Sequence, residues 1–159
     1  MKNYSKDISQ ELEKCLKQIP FIEITSVQTK PDLPGFSAEL LIQGLPLMLL
    51  VRFQNSGQPR WARLAAYELK AALLGRADAY GVFSAPYISS LAALICREAG
   101  IGYFDLAGNC HLSFGAVFIH KEGSPNPFSE KRDLRSLYSP KAERILRVLL
   151  TSPRQSWKT

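Results

Sequence analysis

The sequence predicts a mixed α/β domain whose sheet is flanked by helices, followed by a short second segment. Three observations indicate this class. Helical and extended segments alternate along the chain, the run Leu47–Gln54 is almost wholly apolar, and Gly123–Pro127 has the composition of a linker. A continuous apolar run is typical of a strand that is buried on both faces. Because 159 residues suffice for one core and a small appendage, we expect domains over 1–128 and 129–159.

The first half of the chain predicts one helix and three strands. Apolar residues at helical spacing indicate an amphipathic helix from Ile8 to Ile19, which Pro20 ends. Pro31–Gly35 has turn composition. Gln43–Pro46 is a short turn between two apolar runs, so those runs should form a hairpin and lie side by side in the sheet. The predicted strands are Phe21–Gln28, Phe36–Ile42 and Leu47–Gln54.

The second half predicts two helices among short strands, and then a last helix. An Ala- and Leu-rich segment favours a helix over Trp61–Leu74 with Gly75 as its C-terminal cap. A second helix is expected over Ile88–Ala99. Ser139-Pro140 is a favourable start for a last helix, with an apolar stripe at Ile145, Leu146, Leu149 and Leu150. The predicted strands are Ala79–Ser84, Tyr103–Leu106, His111–Phe114 and Val117–His120.

The segment that leads from the third strand into the second helix suggests a family. It reads Val51-Arg52-Phe53-Gln54-Asn55-Ser56-Gly57-Gln58-Pro59-Arg60. It resembles the metal-binding strand of PD-(D/E)xK nucleases, in which an apolar-Glu-apolar-Lys-Asn pattern precedes a turn and a helix. The predicted element order, helix, three strands, helix and strand, is the core order of that superfamily. The resemblance implies a restriction-endonuclease-like fold.

The same resemblance implies that the catalytic residues are missing. Glu39 matches the first acidic position of such a site, whereas Arg52 stands at the Glu position and Gln54 at the Lys position. Mg²⁺ requires oxygen ligands, and a guanidinium beside one carboxylate is a poor site for it. We therefore expect an inactive nuclease fold with no catalytic residue, no metal and no cofactor, in which these three residues form a vestigial cleft. Alternatively, Glu39 and Arg52 form a cross-strand ion pair.

Basic residues suggest a nucleic-acid partner. Of the net charge of +6, residues 130–159 carry +5, from eight basic and three acidic residues. Three cations and an aromatic side chain share one face of the second predicted helix, although an ordinary solvated face would have the same pattern. We expect weak binding to DNA without sequence preference, most of which should depend on the residues after Phe128. The candidate contacts are Arg52, Arg60, Arg63, Tyr67, Lys70, Lys141 and Arg144.

Other functional classes lack their motifs. Cys15, Cys96 and Cys110 are odd in number and widely spaced, which argues against a disulfide framework and favours a reducing cytoplasm. His120 is isolated in the sequence, and the histidines and cysteines have no zinc-ligand spacing. Phosphate-binding glycine loops and Gly-x-Ser-x-Gly are absent from the sequence. No signal peptide or membrane-spanning run is present in it.

A second resemblance covers the C-terminal half, from Tyr80 onward. The matching stretches are Cys96–Asn109, Pro125–Phe128 and Leu137–Leu150. They are similar to prokaryotic proteins that combine a nuclease-like half with a winged helix, among them transcriptional regulators and type IV abortive-infection antitoxins. The last helix would then be the first helix of a truncated winged-helix domain, and the sequence would be a piece of a longer protein. A protein-interaction or dimerisation module and an active nuclease that uses Glu39 with Glu23 or Asp105 are the alternatives.

Overall fold

The computed structural model describes residues 5–29, 35–128 and 140–151. The chain divides into two units, Met1–Phe128 and Ser129–Thr159. In the described ranges, no helix is long and apolar enough to cross a membrane. The predicted turn before Gly35 and the predicted cap at Ser139 lie outside these ranges.

The first unit contains one mixed sheet of seven strands in the spatial order β1-β2-β3-β4-β5-β6-β7. Its outer pairs are antiparallel, whereas β3 pairs with β4 and β4 with β5 in parallel. The predicted mixed sheet with flanking helices is confirmed, as is the adjacency of the two hairpin strands. The elements are α1 Ser5–Lys17, β1 Ile22–Thr29, β2 Gly35–Ile42, β3 Leu45–Phe53, α2 Pro59–Leu73, β4 Ala79–Ala85, α3 Ser90–Glu98, β5 Gly102–Asp105, β6 Cys110–Phe114 and β7 Val117–Lys121.

One hydrophobic core lies between α1 and the face of the sheet nearest to it. Ile8, Leu12 and Leu16 recur at helical spacing and are buried, which is why α1 packs by that stripe. Alternate residues of the sheet meet them, because strand side chains point to opposite faces in turn. The buried strand residues of this core are Ile22, Phe36, Ala38, Leu40, Ile42, Leu49, Val51, Phe53, Val82, Phe104, Cys110, Leu112, Phe114 and Val117.

A second core lies between the opposite face of the sheet and helices α2 and α3. Small side chains let the two helices pack closely, with Ala62, Ala65 and Ala92 fully buried. Both helices are crossovers between parallel strands, so they must cover the sheet on this side. The N-cap Ser89 accepts a hydrogen bond from the Ala92 amide at 3.3 Å. Gly100, with φ of 72°, follows the C-cap Ala99 of α3.

The loops after β3 and β4 contact each other through their backbones. Gly57 forms an isolated parallel bridge with Ile88, and its carbonyl accepts a hydrogen bond from the Ser89 amide at 3.0 Å. A Cβ atom at position 57 would lie 2.0 Å from the Tyr87 carbonyl oxygen. Only glycine fits this close approach of two backbones.

We expect Gly57→Ala to lower the free energy of unfolding by about 2–3 kcal/mol, because the two loops must separate to admit the methyl group. Urea unfolding followed by circular dichroism measures the change. Asn55→Ala, an exposed position in the same loop, is the control and should stay within about 0.5 kcal/mol of the unchanged protein. Equal effects of the two substitutions would contradict the close packing of the loops.

The described part of the second unit is one helix, α4 Pro140–Thr151. Arg147 pairs with Glu143 one turn earlier at 2.8 Å. The apolar side chains Ile145, Leu146 and Leu150 are exposed, at 62%, 46% and 78%. The helix that the sequence predicts here is confirmed, whereas the winged-helix domain stays a prediction.

Candidate nucleic-acid interface

Arg52 lies on β3, on the face of the sheet that α2 covers. Its neighbours in register are Gly35 on β2 and Phe83 on β4. The guanidinium meets Glu68 of α2, with Nε 2.7 Å from Oε2 and Nη2 donating a hydrogen bond to Oε1 at 3.0 Å. One hydrogen bond and one short ionic contact therefore join the two groups, since Nε and Oε2 are close but not aligned for a hydrogen bond. Because Arg52 is only 9% exposed, its charge is neutralised inside the domain by Glu68.

The alternative prediction of an ion pair between Glu39 and Arg52 is wrong. Glu39 pairs in register with Met48, four residues from Arg52 along β3. Four strand residues span roughly 13 Å. The cause is the hairpin turn, in which Gln43 and Gly44 both have positive φ, at 51° and 82°. A two-residue turn of this kind fixes the register of the strands that it joins.

The three residues of the predicted vestigial cleft therefore do not form one cluster. Glu39 is exposed, and Gln54 is half-buried just beyond the end of β3. The backbone N–H of Gln54 donates a hydrogen bond to the Ser84 carbonyl at 2.9 Å, which extends the pairing of β3 with β4. Beside Arg52 lies a cavity of about 250 Å³ that Gly35, Ser37, Leu50, Glu68 and Arg76 also line. Arg52 Nη1 is buried there without a protein partner.

The exposed face of α2 is positively charged. Arg60, Arg63 and Lys70 are all exposed, and Tyr67, at 76%, lies among them. The guanidinium of Arg60 sits 4.8 Å from the centre of the Trp61 ring. Glu68 is the one acidic residue of α2, and Arg52 neutralises it. The cations of this face therefore have no opposing charge on their own helix.

Of the two candidate contacts in α4, the structure describes the side chain of Arg144, which is exposed. The side chain of Lys141 lies outside the described residues. Both belong to the second unit, Ser129–Thr159.

A buried carboxylate lies at the end of β5, and the sequence named it only as a possible ligand in the active-nuclease alternative. Asp105 is 1% exposed. Its Oδ1 accepts hydrogen bonds from the amides of Ala107 and Asn109, both at 2.9 Å. Its Oδ2 accepts from the Ile88 amide at 3.0 Å and from Asn109 Nδ2 at 2.8 Å. With both oxygens occupied by protein donors, Asp105 holds two loops together and is poorly placed to bind a metal ion.

His120, which is isolated in the sequence, is not isolated in the structure. His120 and His111 are directly opposite on β7 and β6, with their Nδ1 atoms 3.2 Å apart. Glu122 accepts a hydrogen bond from the Tyr103 hydroxyl at 2.5 Å and lies 3.6 Å from Arg97. Burial, and then the neighbouring His120, lowers the pKa of His111. The hydrogen bond from Tyr103 lowers the pKa of Glu122.

These side chains do not make a metal centre. Among the residues that the structure describes, no group of three or more His, Cys, Asp or Glu side chains could hold a metal ion. His120 Nε2, not Nδ1, faces Glu122, at 3.8 Å. The carboxylate is therefore on the far side of the ring from the two close nitrogens.

Comparisons with known proteins give limited matches. No protein-family model matches the chain, and no curated protein matches it. Among solved structures, it is similar to EndoMS in its apo form, at 13% identity and a TM-score of 0.45 over 67% of this chain. It is also similar to EndoMS in its dsDNA2 complex, at 12% identity and a TM-score of 0.43 over 67% of this chain. The chain spans about half the length of these structures, 48% and 46%.

Proposed function

We propose that the chain is a non-catalytic, restriction-endonuclease-like module of a DNA-associated regulatory protein, either a transcriptional regulator or an antitoxin-like protein. The observation that carries this proposal is the exposed basic face of α2, formed by Arg60, Arg63 and Lys70. Cations that no acidic side chain of their own helix neutralises attract the phosphate backbone and release its counterions. Tyr67, exposed among them, can pack against sugar or base surfaces.

Buried charge in the sheet supports the absence of catalysis. Arg52 stands where the PD-(D/E)xK pattern has a metal-binding Glu, and its partner is Glu68. A guanidinium in that place repels a divalent cation and also occupies the nearest carboxylate. Glu39, four register positions away, is too distant to complete a metal site with Glu68. Gln54 has no ionisable proton with which to activate a water nucleophile.

Binding to phosphates through a helix face accounts for weak affinity without sequence preference. Base readout requires an element inserted in a groove, whereas α2 is packed against the sheet by Ala62, Ala65 and Leu69. Contacts from its exposed face would position a nucleic acid and leave the reading of bases to another element. Lys141 and Arg144 of the second unit are expected to add phosphate contacts, in keeping with the basic excess after residue 129.

A salt-dependent titration of duplex DNA tests the proposal. We expect Arg60→Ala/Arg63→Ala/Lys70→Ala to reduce the slope of log K against log salt by roughly two to three units, since each phosphate contact contributes about 0.9. Lys141→Ala/Arg144→Ala should reduce it by up to about two units for the same reason. The matched control, Lys14→Ala/Lys17→Ala/Arg97→Ala, removes three cations that are each paired with a glutamate.

The control variant separates local contacts from overall charge. If it weakened binding as much as the α2 variant, net charge alone would be responsible and the α2 interface would be wrong. If the unchanged protein bound no DNA even at low salt, the nucleic-acid function itself would be wrong.

The absence of catalysis has its own test. We expect no nicking of supercoiled plasmid by the pure protein with Mg²⁺ or Mn²⁺, because no described cluster of carboxylates can hold the ion. Agarose electrophoresis against an active restriction enzyme measures it. Metal-dependent nicking that Glu39→Ala abolishes would contradict the proposal and favour an active nuclease.

A protein-interaction or dimerisation module is the second candidate, and exposed leucines favour it. Leu64 on α2 and Leu91 and Leu94 on α3 are 39%, 53% and 40% exposed. Exposed apolar side chains on two helices that pack together are candidates for a protein contact. Sedimentation of the pure chain tests this function. A concentration-dependent dimer that Leu91→Glu disrupts would support it. A monomer at all concentrations would rule out dimerisation.

A further inference from the structure

Two thiols from distant parts of the sequence meet on the α1 side of the sheet. Cys15 of α1 packs against the core that contains Cys110, the first residue of β6, and the two side chains line the same cavity. Cys110 is 5% exposed in the core, and Cys15 is half-buried against it. Both line a small cavity of about 150 Å³, together with Glu11, Lys14, Asp105 and Lys121. Cys15 is therefore reachable from solvent, whereas Cys110 is buried at the wall of the same cavity.

The surroundings make the two thiols unequal. The neighbouring Cys110 thiol lowers the pKa of Cys15 to about 7, with a further contribution from Lys121, against the opposing effects of burial and Glu11. The neighbouring Cys15 thiol and burial raise the pKa of Cys110. A half-exposed thiolate beside a protonated thiol is the arrangement of an attacking and a resolving cysteine. Asp105 opposes ionisation of Cys110, whereas Lys121 favours it.

The third thiol provides an internal comparison. Cys96 of α3 is fully buried in the other core, among the residues of α2 and α3. Burial raises its pKa to about 12. It has neither a thiol neighbour nor a path to solvent in the described residues, so it should be inert.

We propose that Cys15 and Cys110 form a peroxide-sensitive thiol pair that closes reversibly to a disulfide between α1 and β6. In the first step the Cys15 thiolate attacks one peroxide oxygen. An S–O bond forms, the O–O bond breaks, hydroxide leaves, and sulfenic acid is produced. In the second step the Cys110 sulfur attacks the Cys15 sulfur. The S–S bond forms, the S–O bond breaks, and the hydroxyl group leaves as water with the Cys110 proton. Two electrons pass from the thiols to the peroxide.

Mass spectrometry of the folded, unchanged chain tests the proposal, with hydrogen peroxide as the oxidant. Trypsin places the three cysteines in separate peptides, 15–17 for Cys15, 77–97 for Cys96 and 98–121 for Cys110, so each crosslink is unambiguous. We expect a disulfide-linked pair of peptides 15–17 and 98–121 in the monomer, removed by glutathione. Before oxidation, iodoacetamide at pH 7 should modify Cys15 at least about 100-fold faster than Cys96.

Three variants test the steps. Cys110→Ser should leave Cys15 reactive but stop it at sulfenic acid, which dimedone traps, whereas Cys96→Ser should crosslink like the unchanged chain. Lys121→Gln should slow the alkylation of Cys15 at pH 7, because it removes a charge that favours the thiolate. Oxidation of Cys15 to sulfinic acid without a crosslink in the unchanged chain would overturn the proposal. So would a crosslink that involves Cys96, or equal alkylation rates of Cys15 and Cys96.

Discussion

Asp105→Ala is expected to lower the free energy of unfolding by about 4 kcal/mol. The substitution leaves the amides of Ile88 and Asn109 buried without acceptors, and each such donor costs about 1–3 kcal/mol. The Ala107 amide loses its acceptor as well, and Asn109 Nδ2 keeps only its longer contact to the Ser124 carbonyl, at 3.4 Å. A domain of this kind has a total stability of about 5–15 kcal/mol, so the variant should be close to unfolding at 37 °C.

The effect of Asp105→Ala is measured by urea unfolding, with Asp78→Ala as the control. Asp78 is exposed, and its removal should change stability by less than about 0.5 kcal/mol. Asp105→Asn should be intermediate, because the amide keeps one acceptor oxygen and turns a donor toward the other backbone amides. Hydrogen exchange should also speed up selectively at the Ile88 and Asn109 amides. If Asp105→Ala lowered the free energy of unfolding by less than about 1 kcal/mol, the carboxylate would not be what connects the two loops.

Local signals in the sequence were sufficient for the elements of the fold. Period-3.6 apolar spacing predicted α1 from Ile8, Leu12 and Leu16, and these residues are the buried stripe. The apolar run of β3 predicted a strand covered on both faces, and it lies between the two cores. The sequence also predicted that β2 and β3 are adjacent. It could not set their register, because a turn of two residues and a turn of four residues are both compatible with Gln43–Pro46.

The polar contacts of the candidate site depend on long-range geometry. Arg52 meets Glu68 sixteen residues later, and this pairing requires the packing angle of α2 on the sheet as well as the register of β3. His111 meets His120 because β6 and β7 form a tight hairpin with those residues opposite each other. Alternation along β6 places Cys110 and His111 on opposite faces. It gives no indication that the Cys110 face is where α1 brings Cys15.

Arg52 is more deeply buried than its partner Glu68. We therefore expect the loss of stability to depend on which of the two residues is replaced. The Arg52 side chain is 10% exposed, whereas the Glu68 side chain is 31% exposed. If Arg52 is replaced by Met, the Glu68 carboxylate can turn toward water, and we expect the free energy of unfolding to fall by about 1–2 kcal/mol. If Glu68 is replaced by Leu, the Arg52 guanidinium stays buried and unpaired, and the free energy of unfolding should fall by about 3–5 kcal/mol.

The double variant Arg52→Met/Glu68→Leu completes the cycle. Apolar side chains of similar volume can replace a buried ion pair at little cost, so its stability should return to within about 1–2 kcal/mol of the unchanged protein. Urea unfolding of all four proteins gives the coupling energy. A greater loss for Arg52→Met than for Glu68→Leu would contradict the burial of an otherwise unpaired guanidinium. Because the Arg52 charge is already paired inside the domain, the double variant should also retain the salt slope of DNA binding. If the double variant reduced the salt slope as much as the α2 variant does, Arg52 would be a phosphate contact. The interface would then include the sheet around Arg52.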